Sequence, residues 1–280
     1  MVDEAIHFEN PVPQIFPIPQ NAFFKFFHNR LLTTGQTPRI VQRVKRIDNP
    51  PCIGDVLESL PVTEEPVLVL ASNSPRRHEL FALAGWMFRV KVADVDESPR
   101  AGEAPTDYVL RLAETKARAI KTYADQIILA ADTAVVDGKD ILGKPKDIAE
   151  AVAMLARLRG HTHQVYTGIA LLRQSDGRLL KDLCITNVSM RGYSEDEIFA
   201  YVGTGDPLDK AGAYAIQHAG FRPVSGLSGC YASVMGLPVC HVVRLMQQFE
   251  ISPAADVPIN CQTLLEYQCP VFRAILRGEL

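Results

Sequence analysis

The hydrophobic pattern of residues 67–250 alternates between the period of strands and the period of helices. An apolar run at Val67–Ala71 predicts a buried strand. His78–Ala84 then places its apolar residues at helical spacing, and a second helix is predicted from Thr106 to about Ala124. Strands that alternate with helices in this way indicate an α/β fold.

Strand, turn and cap signals continue through the middle of the chain. Gln126–Ala131 is a short apolar run that predicts a strand ending at Asp132. The dipeptide Asp137-Gly138 predicts a hairpin, and a longer hairpin is predicted to turn at residues 175–177. A Ser-x-x-Glu capping box that begins at Ser194 predicts the start of another helix.

The distribution of proline divides the chain. Nine of the nineteen prolines fall in residues 1–66, which we interpret as a proline-rich N-terminal extension. Residues 67–250 form the predicted main domain, with a last helix from about His241 to Phe249. Residues 251–280 are a C-terminal tail, with one short helix predicted within residues 261–276. The extension is expected to pack on the domain surface or to be partly disordered. A targeting peptide is the alternative, which the three acidic residues before Asn10 disfavour.

Composition argues against several classes of function. The chain is 47% apolar and 22% charged with a formal net charge of −3, which argues against nucleic acid or a membrane surface as the main partner. No apolar run approaches the roughly 18 residues that a membrane span requires. The six cysteines include no C-x-x-C pair and no zinc spacing, so we expect them to be reduced and mostly buried. We therefore predict a cytoplasmic protein.

The segment Ser74-Pro75-Arg76-Arg77 carries the first candidate chemistry. Ser74 fits an N-cap and Pro75 a first helical residue, so the two arginines fall in the first helical turn. Positive side chains at the positive end of a helix dipole need an external anion to be favourable, and phosphate is the usual one. The alternative is a solvated basic turn.

Acidic residues and one lysine supply the second candidate. Asp132 follows an apolar strand, where ligands bind in open α/β sheets, and a lone buried carboxylate is costly. Asp94, Asp96 and Glu97 repel one another unless a cation lies among them; the alternative is a solvated loop. Lys116 lies on the apolar stripe of its helix, so its ammonium either reaches solvent or points into a cleft.

Two further motifs have polar side chains at suggestive spacing. Gly143-Lys144-Pro145 presents one lysine on a rigid loop after the first hairpin. His161-x-His163 has the spacing of a metal-binding pair, but no third ligand is evident nearby and a structural role is favoured. No cysteine or serine is placed beside a base, as a nucleophile requires, so direct attack by water is favoured.

Taken together, eight motifs between Val67 and Phe249 resemble, in order, those of the Maf family of nucleoside triphosphate pyrophosphatases. The motifs are Ala71-Ser72-Asn73-Ser74-Pro75-Arg76-Arg77, Asp96-Glu97, Arg111-Leu112-Ala113 with Lys116-Ala117, Ala131-Asp132-Thr133, Leu142-Gly143-Lys144-Pro145, Thr162-His163-Gln164-Val165 with Thr167, Asp209-Lys210-Ala211-Gly212-Ala213-Tyr214 with Gln217, and Gly236-Leu237-Pro238. His218 departs from the pattern, because glycine is usual after this glutamine.

The resemblance implies a two-lobed, mixed-sheet α/β fold of the Maf/ITPase-like kind, with the active cleft between the lobes. It implies a divalent cation, Mg²⁺ or Mn²⁺, usually a homodimer, and cleavage of a nucleoside triphosphate between its α- and β-phosphates. By position, Glu97 would bind the metal, and Asp132 would accept a proton or bind the metal. The residues placed to hold phosphates are Ser74, Arg76, Arg77, Lys116 and Lys144.

The resemblance also divides substrates. The branch that acts on dTTP and UTP has arginine, threonine and glutamine at the positions of Arg76, Thr133 and Gln217, and this chain agrees at all three. The branch that acts on 7-methyl-GTP differs at all three. We therefore expect hydrolysis of dTTP and UTP, with modified pyrimidine nucleotides as an alternative substrate class. A nucleotide-binding regulator of cell division and septation, with little turnover, is the alternative from another class.

Overall fold

The computed structural model describes residues 67–121 and 126–280, and the predicted extension, residues 1–66, lies outside them. The strands are β1 Val67–Ala71, β2 Phe88–Lys91, β3 Gln126–Asp137, β4 Asp140–Leu142, β5 Thr162–Arg173, β6 Leu179–Met190 and β7 Val224–Ser228. The helices are α1 Pro75–Ala82, α2 Pro105–Ala119, α3 Ile148–Leu158, α4 Glu195–Val202, α5 Tyr231–Val234, α6 Val239–Gln247, α7 Val257–Leu265 and α8 Phe272–Arg277.

The seven strands form one mixed sheet in the order β2-β1-β3-β5-β6-β7, with β4 paired to β3. β1 is parallel to β2 and β3, whereas the remaining pairs are antiparallel. Gly138, with φ +64°, makes the predicted β3–β4 turn, and the β5–β6 hairpin turns where expected, with Gly177 at φ +70°. The predicted mixed α/β architecture is therefore confirmed.

β3 is longer than the sequence pattern predicts. The predicted strand stops at Ala131, but β3 continues through Asp132 and Thr133 to Asp137. It does so because β5 pairs with it without a break from Ile127 to Val136. Asp132 therefore lies inside a strand, and the prediction that it marks a strand end is wrong.

Side chains alternate along β3, so the strand packs on both faces of the sheet, and the two lobes divide along its odd-numbered face. Even-numbered residues from Ile128 to Val136 belong to apolar clusters that face α2, apart from Asp132. Odd-numbered residues before Thr133 pack with α1 and α6, whereas Val135 packs in a separate cluster with α3 and α4. The two clusters are separated at the row where Thr133 pairs with Thr167. The cleft between the lobes lies over this row.

The ends of two helices can be compared with the ends that the sequence predicts. Ser194 and Glu197 make both hydrogen bonds of the predicted capping box. α2 ends at Ala119 because Ile120 is extended, and the predicted end near Ala124 lies outside the described residues. Within residues 67–121 and 126–280, no helix has the length and apolarity needed to cross a membrane.

The C-terminal tail differs from its prediction. α6 begins at Val239, two residues before the predicted start. The tail forms two helices instead of one, because Glu266 adopts a left-handed conformation (φ +48°) that ends α7. Arg244 on α6 donates hydrogen bonds to the carbonyls of Ile275 and Leu280, at 3.0 and 2.6 Å. The tail is thus held against the last helix of the predicted domain.

Candidate active site

A cavity of about 450 Å³ opens at the cleft over Thr133. It is lined by every side chain that the sequence singled out for the site. These are Ser74, Arg76, Arg77, Glu97, Lys116, Asp132, Thr133, Lys144 and Gln217. The structure therefore brings the predicted residues together from separate segments, while the role of each stays a prediction.

The edge of β3 explains how side chains on opposite faces of one strand share this cavity. β1 pairs with β3 as far as Leu129, and β4 pairs with it from Val135 onward. In the described part of the chain, residues 130–134 have no neighbouring strand on that edge. Asp132 and Thr133 both reach the cavity through this gap. Asp132 thus lies beyond the carboxyl end of β1, where ligands bind in open α/β sheets.

Lys116 points into the cleft. Its side chain leaves the apolar face of α2, is 9% exposed, and places Nζ 2.6 Å from Asp132 Oδ1 and 2.8 Å from Glu97 Oε1. Glu97 is thereby separated from the other two acids of its loop; Asp96 instead accepts a hydrogen bond from the Ser98 amide. The ammonium is the cation that the acidic loop needs.

Asp132 has the electrostatics of a proton acceptor. The residue is 5% exposed, and this burial raises the pKa of its carboxyl above the usual value, although the Lys116 ammonium opposes the shift. A carboxylate with a raised pKa accepts a proton more readily near neutral pH than an ordinary aspartate does.

The two carboxylates fit a hard divalent cation. Each of Glu97 and Asp132 gives one oxygen to Lys116, which leaves its second oxygen for another ligand. Among the residues that the structure describes, no group of three or more His, Cys, Asp or Glu could hold a metal ion. Magnesium often takes one or two protein carboxylates and completes its shell with water and substrate phosphates. The pair therefore fits Mg²⁺ or Mn²⁺ bound together with a phosphorylated ligand.

The two arginines of α1 differ from each other. Arg77 donates from Nε to the Gly236 carbonyl at 2.8 Å and from Nη2 to Thr133 Oγ1 at 3.1 Å. Protein groups thus already orient Arg77, and because both acceptors are neutral, its role in holding a phosphate stays a prediction. Arg76 is half-buried and makes no hydrogen bond or ion pair within residues 67–121 and 126–280, so its guanidinium is available to a ligand.

The part of the chain that carries this site is similar to known proteins. The family model described as Maf-like protein matches residues 67–249, the segment that carries all of these side chains. The chain belongs to the Maf family. A protein of Myxococcus xanthus named dTTP/UTP pyrophosphatase is 47% identical over 186 residues, 66% of this chain and 93% of that protein. A protein of the same name from Hahella chejuensis is 46% identical over 193 residues, 68% of this chain and 95% of that protein.

Among solved structures, the Staphylococcus aureus Ham1 protein matches with a TM-score of 0.35 and 16% identity. The match covers 76% of this Maf chain and 99% of that chain. A likeness of this size supports no argument about function.

Two loops of the Maf chain are joined beside the cavity. Lys144 is exposed at the cavity wall, on the loop that follows β4. The amide of Gly212 donates to the carbonyl of Gly143 at 3.0 Å, which ties this loop to the segment leading to Gln217. Gly212 has φ +69°, and a Cβ there would lie 2.9 Å from the Val135 side chain. Only glycine allows this close approach.

The two histidines of the His161-x-His163 pair have separate partners in the structure. His161 lies within 3.1 Å of Asp137, whereas His163 is buried and its Nε2 lies 2.8 Å from the Tyr214 hydroxyl. The two rings therefore have different partners, and neither lines the cavity. His163 Nδ1 has no hydrogen-bond partner in the described structure.

We expect the stability of the protein to fall as the pH drops from 6.5 towards 4. Burial lowers the pKa of His163 to about 4. Between pH 6.5 and 4 the unfolded chain therefore binds a proton at this histidine and the folded chain does not, which favours unfolding. The interval corresponds to about 3 kcal/mol in the free energy of unfolding. Urea unfolding at pH 4.5, 5.5 and 6.5 measures it.

The matched comparison for this prediction is His163→Gln against His241→Gln. His163→Gln should flatten the dependence on pH below 6.5. Burial lowers the pKa of His241, but its bond to Asp182 and its contact with Cys184 together raise it to about 9. Its contribution is therefore lost as the pH rises from 6.5 through 9, and His241→Gln should leave the acid side unchanged. An unchanged acid-side slope in His163→Gln contradicts the assignment.

One expectation about nucleophiles needs correction. Cys184 lies near His241 and contributes to the raised pKa of that imidazole, and His241 Nδ1 lies 2.9 Å from Asp182 Oδ2, so a cysteine does lie beside a histidine. Sequence spacing could not show this, because β6 and α6 meet only in the folded chain. Cys184 is 5% exposed and does not line the cavity, so it cannot attack a ligand held there. Water remains the favoured nucleophile.

The motif Gly236-Leu237-Pro238 gives no role for Gly236 from sequence alone. Gly236 holds Arg77 through its carbonyl, has φ +112°, and would place a Cβ 3.0 Å from Arg77 Nε. The row Thr133, Thr167 and Ser233 completes this support, with Thr133 Oγ1 3.0 Å from Thr167 Oγ1 and Thr167 donating to the Ser233 carbonyl at 2.9 Å. A glycine among apolar residues was the sequence signal for this position.

Proposed function

We propose that this Maf chain is a nucleoside triphosphate pyrophosphatase that hydrolyses dTTP and UTP to the nucleoside monophosphate and pyrophosphate. The observation that carries the proposal is the buried Asp132 carboxylate, 2.6 Å from Lys116 in a cavity that Arg76 and Lys144 also line. The names of the relatives from Myxococcus xanthus and Hahella chejuensis support the same activity.

The cations of the cavity fit a triphosphate. Arg76 and Lys144 have no ion-pair partner within the described residues; Arg76 lies in the first turn of α1 and Lys144 on the loop after β4, in different lobes. Ser74, Pro75 and Arg76 place the N-terminus of α1, with its free backbone amides, in the same wall. Phosphoryl transfer depends mainly on neutralising and orienting phosphate oxygens, which these groups do.

Asp132 supplies the base. In the proposed reaction it takes a proton from a water molecule that attacks the α-phosphorus, and pyrophosphate leaves. Lys116 holds the carboxylate in place through Oδ1, which leaves Oδ2 for the water and the metal ion. A bound Mg²⁺ or Mn²⁺, held by Glu97 and Asp132, would neutralise phosphate charge and make the water more acidic.

The base preference of the enzyme tests the proposal. Gln217 is exposed in the cavity wall and presents both an amide donor and a carbonyl acceptor, which suits the carbonyl and N3–H groups of uracil or thymine. We expect kcat/KM to be highest for UTP and dTTP and lower for GTP and 7-methyl-GTP. In Gln217→Glu, kcat/KM for UTP and dTTP should fall by roughly 5- to 100-fold while the relative rate with GTP rises.

The matched control is Gln174→Glu, the same change on the exposed β5–β6 turn outside the cavity. It should leave all four values within about twofold of wild type. A wild-type preference for 7-methyl-GTP overturns the proposed substrate. Equal effects of the two glutamine variants overturn the role of Gln217 and leave the reaction itself in place.

A further inference from the structure

Tyr201 of α4 makes two hydrogen bonds that the proposed chemistry does not use. Its hydroxyl donates to Asp206 Oδ2 at 2.7 Å and accepts from the Ala215 amide at 3.0 Å. The side chain is 3% exposed, and its ring stacks on Phe221 at 4.4 Å between centroids. A rigid aromatic residue is thus bonded at its polar end to the segment that carries the cavity wall.

Asp206 extends this contact to Lys210. The Lys210 ammonium donates to the Asp206 carbonyl at 2.6 Å, to Asp206 Oδ1 at 2.9 Å and to Asp209 Oδ1 at 2.6 Å. An ammonium has three donors, and all three are satisfied here. Lys210 lines the cavity, but its charge is taken up by its own turn. Its role is to fold residues 206–213 into a fixed shape.

The same tyrosine contacts the segment on both sides of Gln217. The Tyr201 hydroxyl accepts a hydrogen bond from the amide of Ala215, two residues before the glutamine. The His218 amide donates to the Ala215 carbonyl at 3.2 Å, which closes a turn around Gln217. The His218 ring lies 4.6 Å from the Tyr201 ring, and its Nδ1 accepts the Phe221 amide at 2.9 Å. His218, where glycine is usual in the family, therefore packs the turn against Tyr201 without a positive φ.

Gln217 itself has nothing else to hold it. Its side chain is exposed and makes no hydrogen bond within residues 67–121 and 126–280. Its position in the cavity wall is therefore set by the backbone of residues 215–218. Ile216 packs against the apolar clusters of both lobes, and the Tyr201 hydroxyl and ring supply the polar and aromatic contacts of this segment.

We propose that Tyr201 is a positioning residue for base recognition, which fixes the Ala215–His218 turn so that Gln217 meets the nucleobase. The inference rests on the proposed function and goes beyond it by naming the residue that holds the Ala215–His218 turn in position. Tyr201 does not touch the phosphates or Asp132, so its loss should weaken binding of the matching base more than it slows the chemical step.

The test compares Tyr201→Phe with Tyr193→Phe. Tyr193 lies in the same cluster, packs on the same Phe221 ring at 4.8 Å, and donates its hydroxyl to the Leu155 carbonyl at 2.8 Å, away from the loop. Tyr201→Phe should raise KM for UTP roughly tenfold, with kcat within about threefold, and should lower the UTP-to-GTP ratio of kcat/KM by a similar factor. Tyr193→Phe should change that ratio by less than about twofold.

Gln217→Ala shows whether Tyr201 acts through the glutamine. In that background Tyr201→Phe should have little further effect on KM for UTP, because the two changes remove the same interaction. Additive effects, or a Tyr193→Phe variant that loses discrimination equally, overturn the proposal. If Tyr201→Phe proves unstable in thermal unfolding, Asp206→Asn serves instead, since it removes the charge that orders the same turn, and the same rise in KM is expected.

Binding of a non-hydrolysable α,β-methylene analogue of UTP, measured by calorimetry, separates this inference from the reaction. A wild-type protein that binds the analogue but does not hydrolyse UTP overturns the proposed function, and the Kd values of the variants still decide the role of Tyr201. A wild-type protein that neither binds nor hydrolyses overturns both.

Discussion

Replacing Asp132 by asparagine is expected to lower kcat for UTP hydrolysis by about 10²-fold or more, the contribution of a general base. Asparagine has nearly the same shape as aspartate but cannot take a proton or carry the negative charge that faces Lys116 at 2.6 Å. The fold should persist, since the amide oxygen can still accept the hydrogen bond from Lys116. Steady-state release of pyrophosphate with Mg²⁺ or Mn²⁺ measures the loss.

Asp137→Asn is the matched control for this variant. Asp137 lies on the same strand, but its carboxylate faces Arg157 at 2.6 Å on the surface. Its loss should change kcat by no more than about twofold. Near-normal turnover in a folded Asp132→Asn protein contradicts the assignment of the base and favours a nucleotide-binding regulator with little turnover.

Replacing Lys116 by methionine should also reduce kcat/KM by about 10²-fold or more, the size expected for loss of a positioned catalytic charge. Methionine keeps the length of the side chain but leaves Glu97 and Asp132 without the cation that lies between them. Without that cation, repulsion from Glu97 raises the pKa of Asp132 further, so the base is protonated over more of the neutral range. The pH profile of kcat/KM should therefore move to higher pH.

Stability gives the second readout for Lys116→Met. Breaking a wholly buried ion pair costs about 3–5 kcal/mol, but the Glu97 side chain is 51% exposed and can turn to solvent. We therefore expect a loss of about 2 kcal/mol in urea unfolding. Lys181→Met removes an exposed pair with Glu114 at 2.9 Å and should change neither activity nor stability appreciably. Full activity of Lys116→Met would falsify the role of this ammonium.

Elements whose signals are local could be predicted from the sequence. The Ser194 capping box and the turn at Gly138 depend on residues a few positions apart, and both form as expected. The end of β3 could not be predicted, because β5 and β4 decide it, and strand pairing is set by distant segments. A polar Asp132 after an apolar run therefore indicated a strand end that the sheet does not contain.

In the candidate site too, some features could be predicted from the sequence and others could not. Residues of the kind that bind phosphate and protons could be selected by type and motif, and all of them line one cavity. Their partners could not be selected. Whether Lys116 reaches solvent or the cleft depends on Asp132 and Glu97, and Arg77 is held by a carbonyl 159 positions away. Tyr201 looks like an ordinary core residue of an amphipathic helix, because the partners of its hydroxyl lie in later turns.

The continuous course of β3 has a consequence for engineering. Adjacent residues of a strand point to opposite faces of the sheet. Asp132 therefore contacts Lys116 of α2, while Thr133 contacts Arg77 of α1 and Thr167 on the neighbouring strand. The proposed roles of Asp132 in the reaction and of Thr133 in substrate choice thus fall on two sides of one backbone, one position apart. A designer can remodel the odd-numbered side to admit a new base and leave the even-numbered side as it is. An insertion or deletion of one residue in β3, by contrast, exchanges the two sides and removes both properties at once.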